Sequence, residues 1–385
     1  MRPDDAPRSR AVTRVTAVLF CVLLAALFVC FWALPDKDFS PTEKRVLALF
    51  PAVSFSRVAD GTFESELETY VQDQMPLRNA WVGLCAYFNA FLGQNGTDGA
   101  YVCREDYLIN TPSHEDFRNL RSNLKYLGRF SDGVQTPVYL LPVPQTGYVL
   151  QELLPQRHAA YTDDRIFAEI VDEAAETLRI VDVRDAFCSD AAGERLYYKT
   201  DHHWTPRGAL TAANVFLSTA GRPTLSDSDF RVETVPGFYG TIYSKLALWG
   251  KGADTMELWH IPNAKLSVTV QDLGKDTQTT ASDVFFRDHL DAYDMYPVYL
   301  DGNHSFTTIE NEAAPEGTLL LLKDSFGNTI ATELAAAYRR IVMIDLRYYR
   351  TKAVSDLLAE YNVDDVLVCY SVDSLMHDTN ILWLR

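Results

Sequence analysis

The pattern of apolar and polar positions divides the 385-residue chain into regions of different character. A charge-free apolar run extends from Val15 to Leu34, and segments of helical character follow to about residue 92. From residue 115 onward, short and fully apolar segments alternate with amphipathic ones. Such apolar segments are typical of parallel strands that helices bury on both faces. We therefore expect an α/β fold built on a mostly parallel sheet.

The predicted elements give this sheet a definite order along the chain. Residues 222–315 do not follow the alternation, because they are richer in Gly, Asp, Thr and aromatic residues. They are predicted to form a strand-and-loop insertion between two halves of the sheet. The predicted strands are 138–143, 180–183, 318–322, 340–344 and 365–370, and the predicted helices include 115–130, 163–178 and 353–361. The predicted organisation is a tail at 1–14, a membrane helix at 15–34, a helical stem with a short hairpin at 35–110, and the α/β domain at 111–385.

The N-terminal apolar run has the length of a membrane-spanning helix. Its 20 residues extend about 30 Å at ~1.5 Å per residue, which matches a bilayer core. Four arginines precede it, and the positive-inside rule therefore places the tail in the cytoplasm and the bulk of the chain outside the cell. A cleaved signal peptide is the alternative, but the run is longer than a signal core and ends without a small-x-small site. We expect a single-pass cell-membrane protein with an extracellular C-terminal domain.

Charge and cysteine content narrow the classes of partner. The formal charge is −17, and because the first 14 residues carry four arginines and two aspartates, the remainder carries −19. This excess of acid argues against nucleic acid or an anionic lipid surface as partner. Four cysteines lie outside the apolar run, and their spacing neither fixes a disulfide pairing nor suggests a metal site. They are Cys85, Cys103, Cys188 and Cys369.

The densest group of titratable residues is Asp201-His202-His203-Trp204. An acid and a histidine two residues apart project to the same side of an extended backbone, so both can enter one pocket. A metal site is an alternative, but the group lacks a third spaced ligand. Asp201 could also cap the following helix with His203 in the core. Thr205-Pro206 marks that helix start better, which leaves the acid and the histidine unexplained by capping.

A serine that could act together with the acid–histidine pair lies at the end of a predicted strand. Ser325 follows the strand 318–322 and Lys323-Asp324, and it precedes a helix. Active residues of parallel sheets gather at the carboxyl ends of strands, and helix amides there can stabilise an oxyanion. Ser325 or Asp324 could instead be an ordinary helix cap. A serine needs a base, and the acid–histidine pair would provide one. We expect Trp204 to pack beneath the pair and His202 to face away from His203, as the alternative base.

The Asp-His-His-Trp-Thr motif, followed by a strand and Asp-Ser-Phe, resembles the DHHW family. That family is similar to the SGNH-hydrolase-like domains of the alginate O-acetylation proteins AlgJ and AlgX. The resemblance implies a three-layer α/β/α domain in which Ser325 is the nucleophile, His203 the base and Asp201 its orienting acid. It also implies an oxyanion hole. The candidates for it are the Ser325 amide, Gly240, and Asn303 or Asn328.

Two further residues follow a predicted strand end and could line the same cleft. Arg347 and Tyr348 are candidates to bind a sugar or acetyl oxygen, although Arg347 could instead lie on the surface. Alternatives are also open for the two asparagines: Asn303 could belong to a loop turn, and Asn328 could be an ordinary helix residue. The resemblance implies a carbohydrate O-acetyltransferase or acetylesterase of the cell envelope that needs no cofactor and no metal. Its expected partners are an envelope polysaccharide and, for transfer, a multi-spanning membrane acyltransferase. The alternative function is a non-catalytic polysaccharide-binding or envelope-assembly protein, because Lys323-Asp324-Ser325 replaces the Gly-Asp-Ser of SGNH enzymes.

Overall fold

The computed structural model describes residues 6–40, 42–96, 98–191, 193–272 and 277–384. The chain divides into two compact units, Met1–Phe88 with Ala247–Trp249, and Asn89–Leu246 with Gly250–Arg385. The predicted short hairpin falls in the second of these units. The hairpin belongs there because the Leu108 amide donates a hydrogen bond to the Lys199 carbonyl at 2.7 Å.

The first unit begins with a long apolar helix. Within it, residues Ala11–Ala33 have a mean hydropathy of 2.7 and are long enough to cross a membrane. This helix is compatible with the predicted anchor and equally with a signal sequence. Of the predicted tail, residues 1–5 lie outside the described part, and the rest is already helical. The elements of this unit are α1 (Ala6–Ala33), β1 (Phe39–Ser40), β2 (Arg45–Val46), α2 (Phe55–Ala59), α3 (Thr62–Gln74) and α4 (Arg78–Phe91).

The predicted helical stem is held together by one buried acid. Asp73 on α3 accepts hydrogen bonds from the Arg45 guanidinium and, at 2.8 Å, from the Ala48 amide. The short β1–β2 hairpin is thereby tied to the helix. Hydrogen bonds from Arg45 lower the pKa of Asp73 although burial raises it. The carboxylate therefore stays ionised and keeps the pairing.

The second unit is built on an eight-stranded mixed sheet. Its strand order is β10-β9-β11-β13-β12-β14-β5-β6, and the pairs from β13 to β6 are all parallel. The expected parallel core is confirmed. The strands of the unit are β3 (Ala100–Val102), β4 (Leu108–Asn110), β5 (Val138–Val143), β6 (Arg179–Ile180), β7 (Arg231–Phe238), β8 (Asp254–His260), β9 (Leu266–Asp272), β10 (Thr277–Ala281), β11 (Phe306–Asn311), β12 (Thr318–Lys323), β13 (Arg340–Ile344) and β14 (Asp365–Ser371).

The segment 222–315 differs from the expected separate insertion. Only its β7–β8 hairpin is independent, since β9, β10 and β11 extend the main sheet as antiparallel strands. Of these strands, β9 and β11 alternate buried and more exposed positions, as β9 does between Val268 and Val270. Such alternation indicates a strand with one covered face. The many Gly, Asp and Thr residues of the segment make this alternation hard to recognise in the sequence.

Helices cover both faces of the parallel strands, as the sequence pattern indicates. On β12, Leu319 and Leu321 enter one apolar core, whereas Leu320 and Leu322 enter the other. Two fully buried faces explain why the strand has four consecutive leucines between Thr318 and Lys323. The helices of the unit are α5 (Phe117–Asp132), α6 (Thr146–Val149), α7 (Asp163–Ala174), α8 (Arg184–Asp190), α9 (Pro206–Thr219), α10 (Thr241–Leu246), α11 (Phe326–Leu334), α12 (Val354–Tyr361) and α13 (Val372–His377).

The buried acid Glu333 on α11 gives a prediction about stability. Its side chain is fully buried, and neither carboxyl oxygen has a hydrogen-bond partner among the described residues. Burial raises the pKa of Glu333 well above its usual value. The unfolded chain therefore ionises this group at a pH where the folded protein keeps it protonated, and the protein loses stability as the pH rises through the unfolded pKa.

We expect Glu333→Leu to increase the free energy of unfolding by about 1–3 kcal/mol at neutral pH and by less at pH 4. Urea unfolding at the two pH values measures this difference. Glu333→Gln is the matched variant, because it removes the ionisation but keeps a polar group at the same place. A gain for Glu333→Leu that does not depend on pH contradicts the ionisation argument, and a loss of stability contradicts the assignment of an unpaired acid.

Candidate active site

The serine lies at the carboxyl end of a central strand. Ser325 occupies the first position before α11 but makes no capping hydrogen bond with its side chain. Asp324 takes that role, because its Oδ1 accepts a hydrogen bond from the Phe326 amide at 3.0 Å. Its Oδ2 accepts another from the Ser371 amide at the end of β14, at 2.9 Å. The capping alternative therefore applies to Asp324, and the Ser325 hydroxyl is left for another contact.

That contact is with the acid–histidine motif. Nε2 of His203 lies 2.7 Å from Oγ of Ser325, and Nδ1 of His203 lies 2.6 Å from Oδ1 of Asp201. The backbone between Asp201 and His203 is a bend and not the expected extended segment. The His203 amide donates to Oδ1 of Asp201 at 2.9 Å, which closes a tight turn and brings the two side chains together.

The second oxygen of Asp201 is held from behind by Thr241. The Thr241 amide donates to Oδ2 at 2.6 Å, and its hydroxyl donates to the same oxygen at 3.1 Å. Burial raises the pKa of the Asp201 carboxyl, but the charges of His203 and His202 and these hydrogen bonds lower it well below its usual value. The acid is therefore ionised. An ionised acid places the ring proton of His203 on Nδ1, so that Nε2 accepts the Ser325 proton.

Aromatic residues fix the plane of the His203 ring. Tyr296 stacks on it with centroids 3.8 Å apart and planes 12° apart, and Phe326 packs at 5.0 Å. The Tyr296 hydroxyl lies 3.0 Å from that of Thr329 and donates to the Ser325 carbonyl at 3.3 Å. Tyr296 therefore links the histidine to the serine helix. Sequence reasoning missed both Tyr296 and Thr241, and no local motif marks either of them.

The neighbours of His203 follow the sequence interpretation only in part. Trp204 is fully buried and packs edge-on against Phe326 at 5.2 Å, as expected. Thr205 caps α9 by accepting from the Gly208 amide at 3.3 Å, with Pro206 at the first helical position. The expectation that His202 faces away is wrong, because its ring lies 3.9 Å from that of His203 and lines the cleft.

The predicted oxyanion-hole residues are held by different contacts. The Gly240 amide donates to the Thr200 hydroxyl at 3.0 Å, behind the Asp201 side chain and not in the cleft. A Cβ at Gly240 would lie 2.2 Å from Cβ of Asp201, so this glycine permits close packing. Oδ1 of Asn303 accepts from Lys323 at 2.8 Å and from Asn328 at 3.2 Å. The Ser325 amide has no partner in the hydrogen bonds of the described residues.

The other two predicted binding residues lie outside the serine cleft. Arg347 makes a two-point contact with the buried Asp345, with nitrogen–oxygen distances of 2.9 and 2.6 Å. Tyr348 is half exposed beside it, with the Arg347 guanidinium 5.5 Å from its ring. Arg347 lines a neighbouring groove and is not among the residues that line the cavity beside Ser325.

A cavity of about 240 Å³ opens beside Ser325. Its walls include the segment after β5, from Val143 to Thr146, and the start of α13. Asp201, His202 and His203 offer possible ligand atoms within 4.8 Å of one another, which is the geometric condition for a metal site. Both oxygens of Asp201 and both nitrogens of His203 already have hydrogen-bond partners, so these two residues do not offer the free lone pairs that a metal needs.

The fold and the family comparison define an SGNH-hydrolase-like α/β protein. Residues 109–235 match the family described as "SGNH hydrolase-like domain, acetyltransferase AlgX". The resemblance to DHHW proteins is also confirmed, because residues 185–344 match the family described as "DHHW protein". The two matches overlap at the motif that contains Asp201 and His203.

Solved structures share this fold at low sequence identity. A DHHW family protein from Eubacterium siraeum is 22% identical, with a TM-score of 0.63 over 74% of this chain and 95% of its own. PatB1 of Bacillus cereus, in a structure with a sulfonyl adduct, is 20% identical, with a TM-score of 0.62 over 73% of this chain and 97% of its own. Among curated proteins, the "Probable alginate O-acetylase AlgJ" of Pseudomonas putida is 23% identical over 181 residues. That match spans 44% of this chain and about half (46%) of the relative's length.

Proposed function

We propose that this chain is a membrane-anchored, extracellular carbohydrate O-acetyltransferase or acetylesterase. The observation that carries the proposal is the continuous hydrogen-bond chain from Asp201 through His203 to Ser325 at the end of β12. Its residues are joined across 122 positions of sequence. An ionised acid, a histidine and a serine in this order form the arrangement that activates a serine for acyl transfer.

The reaction proceeds in two steps. In the first step, the Ser325 hydroxyl attacks the acetyl carbonyl while Nε2 of His203 takes its proton, and the same proton then goes to the departing alcohol or carrier. In the second step, a sugar hydroxyl or water attacks the acetyl-enzyme, and His203 removes the proton of that nucleophile and returns it to Oγ of Ser325. Asp201 stabilises the imidazolium in both steps. The oxygen of the tetrahedral intermediate lies near the Ser325 amide, the donor that has no other partner.

The comparisons support acetylation of a carbohydrate as the chemistry. The curated relative is described as a probable alginate O-acetylase, and one matching family is described as an acetyltransferase. The apolar helix Ala11–Ala33 supports a membrane anchor that leaves the second unit outside the cell. A single spanning helix has no path for carrying acetyl groups across a membrane. Transfer therefore requires a multi-spanning acyltransferase that supplies them, whereas hydrolysis requires no partner.

Mass spectrometry of the trapped intermediate tests this proposal. We expect incubation of the full-length protein with p-nitrophenyl acetate, followed by an acid quench, to add one acetyl group to the peptide that contains Ser325. A phenylmethanesulfonyl fluoride pretreatment should modify the same residue and prevent acetylation, since such reagents attack activated serines. Acetylation spread over surface lysines without a Ser325 adduct contradicts the proposal.

One observation favours a second candidate function. The Gly240 amide is engaged elsewhere, so the oxyanion hole lacks its expected glycine donor. A protein with this fold and without turnover could serve as a polysaccharide-binding or envelope-assembly protein. The acylation experiment separates the two functions, because a binding protein forms no Ser325 adduct.

A further inference from the structure

The cleft beside Ser325 is lined by acids and neutral polar groups. Asp324 and Asp373 both line it, while no lysine or arginine does so among the described residues. Its other polar walls carry the imidazole of His202 and several hydroxyls and amides, which suit a sugar. The hydroxyls and amides come from Asn110, Gln145, Thr146, Ser371 and Ser374. The cleft therefore presents negative charge and hydrogen-bonding groups to whatever binds there.

Asp373 is the acid whose hydrogen bonding is incomplete. It lies at the start of α13, on the wall shared by the serine cleft and the neighbouring groove. Its Oδ1 has no hydrogen-bond partner among the described residues. Burial raises the pKa of Asp373 and the charge of Asp324 adds to this increase, while a hydrogen bond with Ser113 and the charges of His377 and Lys245 oppose it. A second negative charge from a ligand would add to the same repulsion.

The nearby cations are held by other groups. Arg347 is paired with Asp345 through two nitrogens, and Lys323 also lies 3.5 Å from that acid. Lys245 is exposed, and its amine is 3.4 Å from the Asn110 side chain without lining the cleft. Arg347 and Lys323 are thus engaged by Asp345, and Lys245 acts on Asp373 through its charge without lining the cleft.

We propose that the sugar bound beside Ser325 is uncharged or amine-bearing and is not a uronic acid, and that Asp373 makes this selection. The inference rests on the proposed function and specifies its substrate. A sugar hydroxyl or an ammonium group donates a hydrogen bond to the Asp373 carboxylate. A uronate carboxylate has no proton to donate, and the two acids repel it. An enzyme that acts on alginate, a polymer of uronic acids, would be expected to have the opposite selection.

A matched pair of esters tests the selection. Methyl 3-O-acetyl-glucoside and methyl 3-O-acetyl-glucuronate differ only at C6, where a hydroxymethyl group replaces a carboxylate. We expect the full-length enzyme to hydrolyse the neutral ester with a kcat/KM about tenfold or more above that of the anionic one. Asp373→Asn should reduce this ratio severalfold, and higher ionic strength should reduce the wild-type ratio.

Asp172→Asn is the matched control, because it removes the same charge from an exposed position on α7. It should leave the ratio unchanged. Thermal unfolding checks that Asp373→Asn remains folded. Equal rates for the two esters, a preference for the glucuronate, or a ratio that Asp373→Asn does not change would overturn the inference. Turnover of p-nitrophenyl acetate with no turnover of either sugar ester would also overturn it.

A result on p-nitrophenyl acetate separates this inference from the proposed function. If the enzyme fails to turn over that ester as well, the proposed function is wrong. The selection is then measured by calorimetry as binding of methyl glucoside and methyl glucuronate to the full-length protein. Tighter binding of the neutral sugar, lost in Asp373→Asn, supports the selection, and equal or tighter binding of the glucuronate overturns it.

Discussion

Replacing Ser325 with alanine should reduce kcat/KM for p-nitrophenyl acetate by about 1000-fold or more. The substitution removes the atom that His203 contacts at 2.7 Å and leaves the cleft otherwise intact. When residues act together to activate one nucleophile, removing any one of them costs nearly as much activity as removing all of them. Ser325→Ala, His203→Ala and the double variant should therefore be similarly inactive, and steady-state kinetics on the three proteins measures this equality.

Ser218→Ala provides the matched control, because Ser218 is an exposed serine on α9. It should keep wild-type kinetics. Two results would count against Ser325 as the nucleophile. One is an alanine variant within tenfold of wild type, and the other is a double variant whose loss is the product of the two single losses.

Replacing Asp201 with asparagine should reduce kcat/KM by about 100- to 10,000-fold. The carboxylate accepts hydrogen bonds at both oxygens, from His203 on one side and from Thr241 on the other. In either orientation, the amide NH₂ of asparagine faces one of these donors. An NH₂ toward His203 forces the ring proton onto Nε2, which then cannot accept the Ser325 proton. An NH₂ toward Thr241 leaves that amide unpaired and displaces the side chain.

Thr241→Ala gives a graded comparison for this prediction. It removes the 3.1 Å hydroxyl contact with Asp201 but keeps the 2.6 Å amide contact, so the loss should stay below about tenfold. Asp185→Asn, at an exposed acid on α8, should have no effect. Pre-steady-state kinetics should show that Asp201→Asn slows both acylation and deacylation. An Asp201→Asn enzyme as active as Thr241→Ala would show that the acid does not orient the histidine.

The sheet could be predicted from the sequence where burial leaves a periodic signal. Strands such as Val138–Val143 and Thr318–Lys323 are buried on both faces and consist almost entirely of apolar residues, so composition alone identifies them. The strand Thr277–Ala281 is an antiparallel edge, and four of its five residues are exposed. A polar edge strand looks like a loop in sequence. The segment that contains it was therefore predicted as a separate insertion.

The site shows the same division between local and nonlocal information. The Asp201–His203 pair and Ser325 could be predicted because each lies in a compact motif with a recognisable chemical role. Tyr296 and Thr241 contact them only after folding, and Gly240 serves close packing, which sequence does not distinguish from an oxyanion amide. The position of His202 was predicted wrongly because alternation of side chains holds for strands and fails in the bend that joins Asp201 to His203.

The position of β14 in the sheet has a consequence for the order of assembly. This strand pairs with β12 on one side and with β5 on the other, and it is the only described strand that joins these two halves. It is also the last of the described strands along the chain. The wall that carries Ser371 and Asp373 cannot meet Ser325 until residues 365–371 have paired with both neighbours. The cleft is therefore completed late in folding, because long-range pairing of this kind makes folding slow. The site proposed for acyl transfer is thus whole only once β14 has paired on both sides.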